Sequence, residues 1–261
     1  MERKSIRIGK VAESMAVIAR FNKWSKYKFM RNAAELVPYL PATSPMSERS
    51  FREMSERYGR VVVKPVDGMQ GQGIFHVSCL SDGRYEVQHE NRKIKLAGRR
   101  ETYSFLSKQI GSQSYIVQQS IDRATVGERA FDLRIIVQRK KNSRRWVVTG
   151  RVAKVVGSGY FVSNTSRKGQ LLLLDEALGR SSLHRLSRKE LQERIDGVAL
   201  ACAKTLTEHF PRQVIYGIDI GLDKRGKVWI FEGNLYPAMS HFVKLKDKTM
   251  YRRIMAYGEG Q

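Results

Sequence analysis

Two periodicities divide the chain. Runs that alternate apolar and polar residues, or that stay apolar for several positions, predict strands at 60–66, 73–79, 84–90, 93–98, 114–121, 131–139 and 146–156. Apolar residues at helical spacing predict four helices. The first is Lys26–Val37, ended by Pro38 and Pro41. The second runs through "SERSFREMSERYG", with Ser47 as its cap, Phe51, Met54 and Tyr58 on one stripe and Gly59 as its stop. The third is "RETYSFLSKQIG". The fourth begins at Ser187 with a capping box to Glu190 and carries Leu191, Ile195, Val198, Cys202 and Leu206 on one face. A last pair of strands, Ile215–Leu222 and Val228–Phe231, flanks a polar turn. Antiparallel pairs with interspersed helices and no internal repeat make the fold class α+β.

That last hairpin raises a question of charge. A four-residue turn, Lys224-Arg225-Gly226-Lys227, sets Asp223 opposite Val228, and hence Asp219 opposite Glu232 with Asn234 on the same face. Like charges directly opposed destabilise a strand pair. On that ground, neutralising one acid should leave stability without nucleotide unchanged or higher. Two carboxylates and an amide oxygen suit a hard cation such as Mg²⁺ or Mn²⁺. The plainer alternative is a register off by one, which turns one acid to solvent.

Composition narrows the class. The 261 residues, 41% apolar and 28% charged, suffice for one large or two small domains with a real core. No apolar run reaches the length of a membrane span. Cys79 and Cys202 lie far apart without metal-binding spacing, so both read as reduced, buried thiols of a cytoplasmic protein. The five histidines form no close pair, so nothing points to zinc. The balance of 48 Lys+Arg against 25 Asp+Glu, a net +23, favours polyanionic partners. Nucleic acid is possible on charge alone, yet no zinc-finger or RNA-binding-strand pattern accompanies it. The cluster Arg139–Arg145 lies between two strand-like runs and reads as a solvated turn.

Two further stretches carry candidate chemistry. In "VVVKPVDGMQGQGIFHV", Lys64 ends a strand, and Gly68, Gly71 and Gly73 lie in the loop to the next. Such a loop lets backbone N–H groups approach phosphate. Its spacing is neither a Walker A motif nor a dinucleotide fingerprint, and an ordinary hairpin loop also uses glycine. In "FDLRIIVQRKKNSRRWVVTGRVAKVV", Asp132 and Arg134 share one strand face, Lys154 sits in the next strand, and Asn164 follows in a polar loop. Converging cations fit a phosphate or a developing oxyanion; a solvated sheet face is the alternative.

The ordered set, from strand-Lys-Pro and glycine hairpin through "YIVQQSI", "DLR" and "GRVAK" to "GIDIG…FEGN", resembles the ATP-grasp fold. More narrowly it resembles the YheC/YheD-type endospore coat-associated ATP-grasp proteins, and it is similar to the glutathione-synthetase and ribosomal-protein glutamate-ligase branch. The resemblance covers about 24–242. It implies two α+β lobes with ATP between antiparallel sheets: residues 1–45 as N-terminal segment and linker helix, 46–115 as the small lobe, and 116–261 as the large lobe. It further implies a ligase that activates a carboxylate as an acylphosphate and joins it to an amine, releasing ADP and phosphate. By that likeness Lys64 touches the inner phosphates, and Gly68, Gln70, Gly71 and Gly73 form a lid over them. Gln118, Gln119 and Ile121 line the adenine hinge, and Asp122 meets the ribose. Arg134, Lys154 and Asn164 serve the γ-phosphate and transition state, while Asp219, Glu232 and Asn234 hold Mg²⁺, with Mn²⁺ an alternative.

Three departures qualify the likeness. Lys154 stands where close relatives carry arginine, which keeps charge but loses the bidentate fork. Asn234 is followed by "LYPAMSHF" without the usual glycine. Only 63 residues precede Lys64, so the α/β domain that relatives place first is expected to be missing or reduced. The carboxylate and amine substrates are unknown, with an acidic peptide or coat protein favoured by the charge. Alternatives are an ATP-binding spore-coat-associated protein with little turnover, a basic nucleic-acid binder, or a kinase. The expected location is the cytoplasm, with association with the forming spore as the narrower alternative.

Overall fold

A computed structural model describes residues 22–68, 71–163 and 169–259. Gln70 and Asn164, both expected in the site, lie outside the described residues. The first helix, α1 (Lys23–Asn32), starts three residues earlier than expected because the Asn22 side chain accepts from the Ser25 N–H at 2.8 Å. It stops at extended Ala33, and Val37–Tyr39 forms a separate 3₁₀ turn with Pro38 near its start. Then come β1 (Thr43–Pro45), α2 (Glu48–Tyr58), β2 (Arg60–Pro65), β3 (Phe75–Cys79), β4 (Tyr85–His89), β5 (Arg92–Leu96), α3 (Arg99–Ile110) and β6 (Tyr115–Gln119). Ser47 caps α2, and Gly59, at φ +66°, ends it.

These strands form one antiparallel sheet in the order β1-β6-β2-β3-β4-β5. The sheet therefore takes in β1 and most of β6, which flank the range 46–115. Val61, Val63, Val77 and Val87 pack beneath Phe51 and Met54 of α2 and Leu106 of α3. Strand alternation then presents Val62, Lys64, His76, Gln88 and Gln118 on the opposite face.

The second half comprises β7 (Thr125–Val126), β8 (Arg129–Gln138), β9 (Val147–Val155), β10 (Gln170–Leu173), α4 (Leu174–Gly179), α5 (Arg188–His209), β11 (Ile215–Leu222), β12 (Val228–Asn234), α6 (Ser240–Lys244) and α7 (Thr249–Glu259). Its sheet runs β10-β9-β8-β11-β12, with β7 on β8. Phe131, Leu133, Ile135 and Val137 face a core shared with Leu191, Ile195, Val198, Cys202 and Leu206 of α5 and with Tyr27 and Met30 of α1. Asp132, Arg134 and Ile136 face the other way. A small apolar cluster of Ile136, Val152, Phe242, Leu245 and Ile254 covers one end of that face, and the polar residues hold the other.

Two expectations need correction. Cys79 is exposed; Cys202 alone is buried, and burial pushes its thiol up to about 12. The Arg139–Arg145 turn is also less solvated than its charge suggests. Arg139 donates to the Gln213 and Ser143 carbonyls and lies over Trp146, and Lys140 donates to Tyr257 O. Lys141, Arg144 and Arg145 are its exposed cations. No helix among the described residues is long and apolar enough to cross a membrane.

Candidate active site between the two sheets

The final hairpin reaches the expected pairing by an unexpected route. Leu222 pairs with Val228, so five residues rather than four form the turn. From there to Ile220, opposite Ile230, the register would set Asp219 against Phe231 and Glu232 against the core residue Ile218. A bulge between Asp219 and Ile220 absorbs Phe231 and restores the pairing Asp219 with Glu232 and Gly217 with Asn234. The bulge therefore turns Glu232 and Asn234 away from the core and onto the cleft face.

Neither acid waits for a ligand to balance it. Arg134, directly across on β8, grips Asp219 with two hydrogen bonds of 2.9 Å. Lys154, two strands away on β9, donates to the same carboxylate at 2.9 Å, and the Asn234 amide donates at 3.0 Å. Glu232 turns to Lys26 of α1, 3.0 Å away. Burial alone would raise both carboxyls. Arg134 and Lys154 outweigh it at Asp219, and Lys26, Lys23 and Lys64 do so at Glu232, so both sit below the usual carboxylate range. The idea that removing an acid would relieve repulsion is thus overturned, because each acid already neutralises buried cations.

Lys64 faces this group from the first sheet. Its Nζ donates to Gln118 Oε1 at 2.9 Å and reaches Phe231 O at 3.5 Å. Gln118 in turn donates to Thr43 Oγ1 at 2.8 Å, which locks the lysine's partner in place. Burial pushes the Lys64 ammonium down to about 8, partly offset by Glu232.

The structure does not gather every expected residue here. The Gln119 side chain accepts from Ala42 N–H at 3.4 Å, and Ile121 is buried where the chain passes between sheets. Asp122 pairs with Lys224 at 2.8 Å and Arg60 at 3.6 Å. Gly68, Gly71 and Gly73 bracket the loop after β2. At Gly73, φ is +68° and a Cβ would lie 2.6 Å from the Tyr115 hydroxyl, so only glycine fits.

Other participants escaped sequence reasoning. His76, on the cleft face, stacks on Phe161 with centroids 4.0 Å apart, and Arg123 covers that ring at 4.7 Å while donating to Phe161 O at 2.7 Å. Arg123 also grips Asp132 at 2.8 and 3.0 Å. Gln88 donates to Gly159 O at 2.8 Å. These contacts tie the segment after β9 to the first sheet. Of Lys23 and Lys26, only Lys26 had a readable sign, since it shares a helical stripe with Tyr27 and Met30, where a charge needs a partner.

The donor set fits Mg²⁺ in part. Asp219 and Glu232 are cross-strand neighbours, and the Asn234 oxygen is the atom that would complete a hard-oxygen face. No group of three or more His, Cys, Asp or Glu that could hold a metal exists among the described residues. Such an ion would need oxygens from a substrate phosphate as well.

The exit from β12 is tightly built. A Cβ at Gly217 would lie 2.5 Å from Pro237 Cβ and 3.1 Å from Arg134 Cδ. Gly217→Ala should therefore push Pro237 or Arg134 aside and cost about 1–3 kcal/mol. Thermal denaturation checks this, and an unchanged midpoint would refute it.

The sequence matches the YheC/D-like ATP-grasp family over residues 18–258. The chain belongs to that family. It is 26% identical over 229 residues to the endospore coat-associated protein YheD of Bacillus subtilis strain 168, covering 85% of this chain and 49% of YheD. YheC of the same organism is 19% identical over 233 residues, covering 87% of this chain and 62% of YheC. The chain thus spans about half of the first relative and under two thirds of the second. Three solved structures share the fold at low identity. D-alanyl-alanine synthetase A of Vibrio cholerae O1 biovar eltor has TM-score 0.57 and 14% identity, covering 94% of this chain and 66% of that one. D-cycloserine synthetase DcsG has 0.56 and 14%, covering 93% and 71%. ATP-grasp ligase PsnB, complexed with minimal precursor, has 0.53 and 13%, covering 93% and 62%. The fold is ATP-grasp, with two antiparallel sheets facing one another across the cleft just described.

Proposed function

We propose that this protein is an ATP- and Mg²⁺-dependent carboxylate–amine ligase working through an acylphosphate. The observation that carries the reading is one continuous cleft face on which Arg134, Lys154, Asp219, Glu232 and Asn234 meet Lys64 from the opposite sheet. Lys64 would contact the inner phosphates, since its buried ammonium lies where a phosphate would supply the missing counter-charge. Arg134 and Lys154 would steady the γ-phosphoryl group as it passes to the carboxylate oxygen. Mg²⁺ held by Asp219, Glu232 and Asn234 would neutralise charge on the phosphoryl oxygens. The glycine loop would cover the phosphates. Ile121 and the backbone of Gln118–Ile121 would border the base, and Asp122 the ribose once it leaves Lys224. In the second half-reaction the amine nitrogen attacks the acyl carbon, the C–O bond to phosphate breaks, and phosphate departs.

The two substrates belong to the same proposal. A net +23 with exposed Lys141, Arg144 and Arg145 favours an acidic peptide or protein acceptor. The names of YheD and YheC make association with a forming spore coat the natural setting. A second reading, a nucleotide binder with little turnover, draws on the full pairing of both acids by protein cations.

The test is ADP release from Mg-ATP, screened against amino acids and acidic peptides, with hydroxylamine added to trap any acylphosphate as a hydroxamate. The ligase reading expects ADP release that depends on a carboxylate, and a hydroxamate of the matching mass. Tight nucleotide binding with no substrate-stimulated ADP would leave the binder reading in its place.

A further inference from the structure

Lys26 is nearly enclosed, at 2% exposure, with Nζ 3.0 Å from Glu232 Oε1. Lys23, one turn earlier on α1, donates from Nζ to Gly68 O at 2.6 Å, and its backbone N–H donates to Val66 O at 2.9 Å. A single helix is therefore fastened both to the chain entering the glycine loop and to a carboxylate in the other sheet. Among the described residues, apart from the Arg123–Asp132 pair, five cations (Lys23, Lys26, Lys64, Arg134, Lys154) gather about two cleft carboxylates, Asp219 and Glu232, with the exposed Asp67 also acting on Lys23. A site meant to hold a divalent ion by itself carries an excess of oxygen anions. Here the excess is positive, and each carboxylate is already engaged.

We propose that Lys26 is an internal cation that reserves Glu232, so that a divalent metal enters only together with a polyphosphate anion. The inference rests on the nucleotide-and-metal reading of the cleft given above. A bare dication meets a positive field and must displace Lys26 from Glu232 without compensation. A triphosphate reverses that balance, since its charge satisfies Lys26, Lys23 and Lys64 while Glu232 turns to the metal. Lys26 is then a positioning residue that sets the order of binding, and the protein holds no resident metal between turnovers.

The experiment measures protein-bound Mn²⁺ by water-proton relaxation enhancement on the full chain, with and without a non-hydrolysable ATP analogue. Wild type should show enhancement only when the analogue is present. Lys26→Met should gain nucleotide-free Mn²⁺ affinity by at least about tenfold, because the ion then relieves an unpaired buried carboxylate. Lys26→Arg should keep the exclusion, and Lys26→Met combined with Glu232→Gln should lose the gain, placing the ion on Glu232. Wild type that binds Mn²⁺ equally well without nucleotide overturns the proposal and needs no variant to fold. So does a folded Lys26→Met protein, judged by circular dichroism, whose Mn²⁺ affinity is unchanged. Wild type that takes up neither Mn²⁺ nor the analogue overturns the nucleotide-and-metal reading itself.

Discussion

Asp219→Asn should lower stability by about 3–5 kcal/mol, because it strands buried Arg134 and Lys154 without their anion. For a chain of this size that is roughly 10 °C in thermal midpoint. Inorganic phosphate or ATP should recover more of the midpoint in the variant than in wild type, since an added anion replaces the missing carboxylate. On the ligase reading turnover should vanish as well, since Asp219 is proposed to hold the metal. The pH dependence follows the same bond. The folded Asp219 carboxyl lies below its ordinary value of 3.8, so the unfolded chain binds the proton more readily. Its contribution is complete above about pH 4 and is lost as pH falls further toward the folded value. Asp219→Asn should flatten that acid limb. A midpoint at or above wild type would refute the pairing as the source of stability.

Lys64→Met should separate stability from binding. The ammonium is pushed from 10.5 to about 8 by burial, which corresponds to a cost of about 3 kcal/mol at neutral pH. Methionine fills similar space without that cost but leaves Gln118 Oε1 without its donor. The variant without nucleotide should gain about 1–2 kcal/mol net. Between about pH 8 and 10.5 the unfolded chain holds the Lys64 proton more firmly than the folded one, so wild-type stability rises with pH and the variant's advantage shrinks. ADP affinity should fall about 10–100-fold in the variant. Wild-type ADP affinity should weaken above about pH 8, where the lysine loses charge. Calorimetry at two pH values checks both, and ADP affinity unchanged by the substitution would remove Lys64 from the site.

Local patterns made much of this architecture readable. Alternation along 131–139 put Asp132 and Arg134 on one face because strand geometry leaves no other choice. The apolar stripe from Leu191 to Leu206 and the caps at Ser47 and Ser187 held for similarly local reasons. What stayed hidden was tertiary. Nothing near Glu232 in sequence announces that Lys26, two hundred residues earlier, neutralises it. Asp122, expected at a ribose, is held by Lys224 from the distant β11–β12 turn. The opposition of Asp219 and Glu232 was anticipated with one residue too few in the turn, and a bulge made up the difference.

That bulge also shapes how this hairpin can change over evolutionary time. Length variation in a surface turn is ordinarily tolerated, since only solvent-facing backbone must adjust. Here β12 carries one residue more than β11 between the Ile220–Ile230 and Asp219–Glu232 pairs, and the bulge takes it up. Losing Phe231 alone would therefore straighten the strand and leave Glu232 opposite Asp219 on the cleft face, whereas a regular ladder that kept Phe231 would turn Glu232 toward Ile218 and α5. Amino-acid exchange at Phe231 is a question of packing against Gly221, whose Cβ would strike the ring at 2.3 Å. Deletion there would cost that ring contact and spare the pairing. The hairpin should therefore tolerate the loss of a residue at the bulge better than the gain of one.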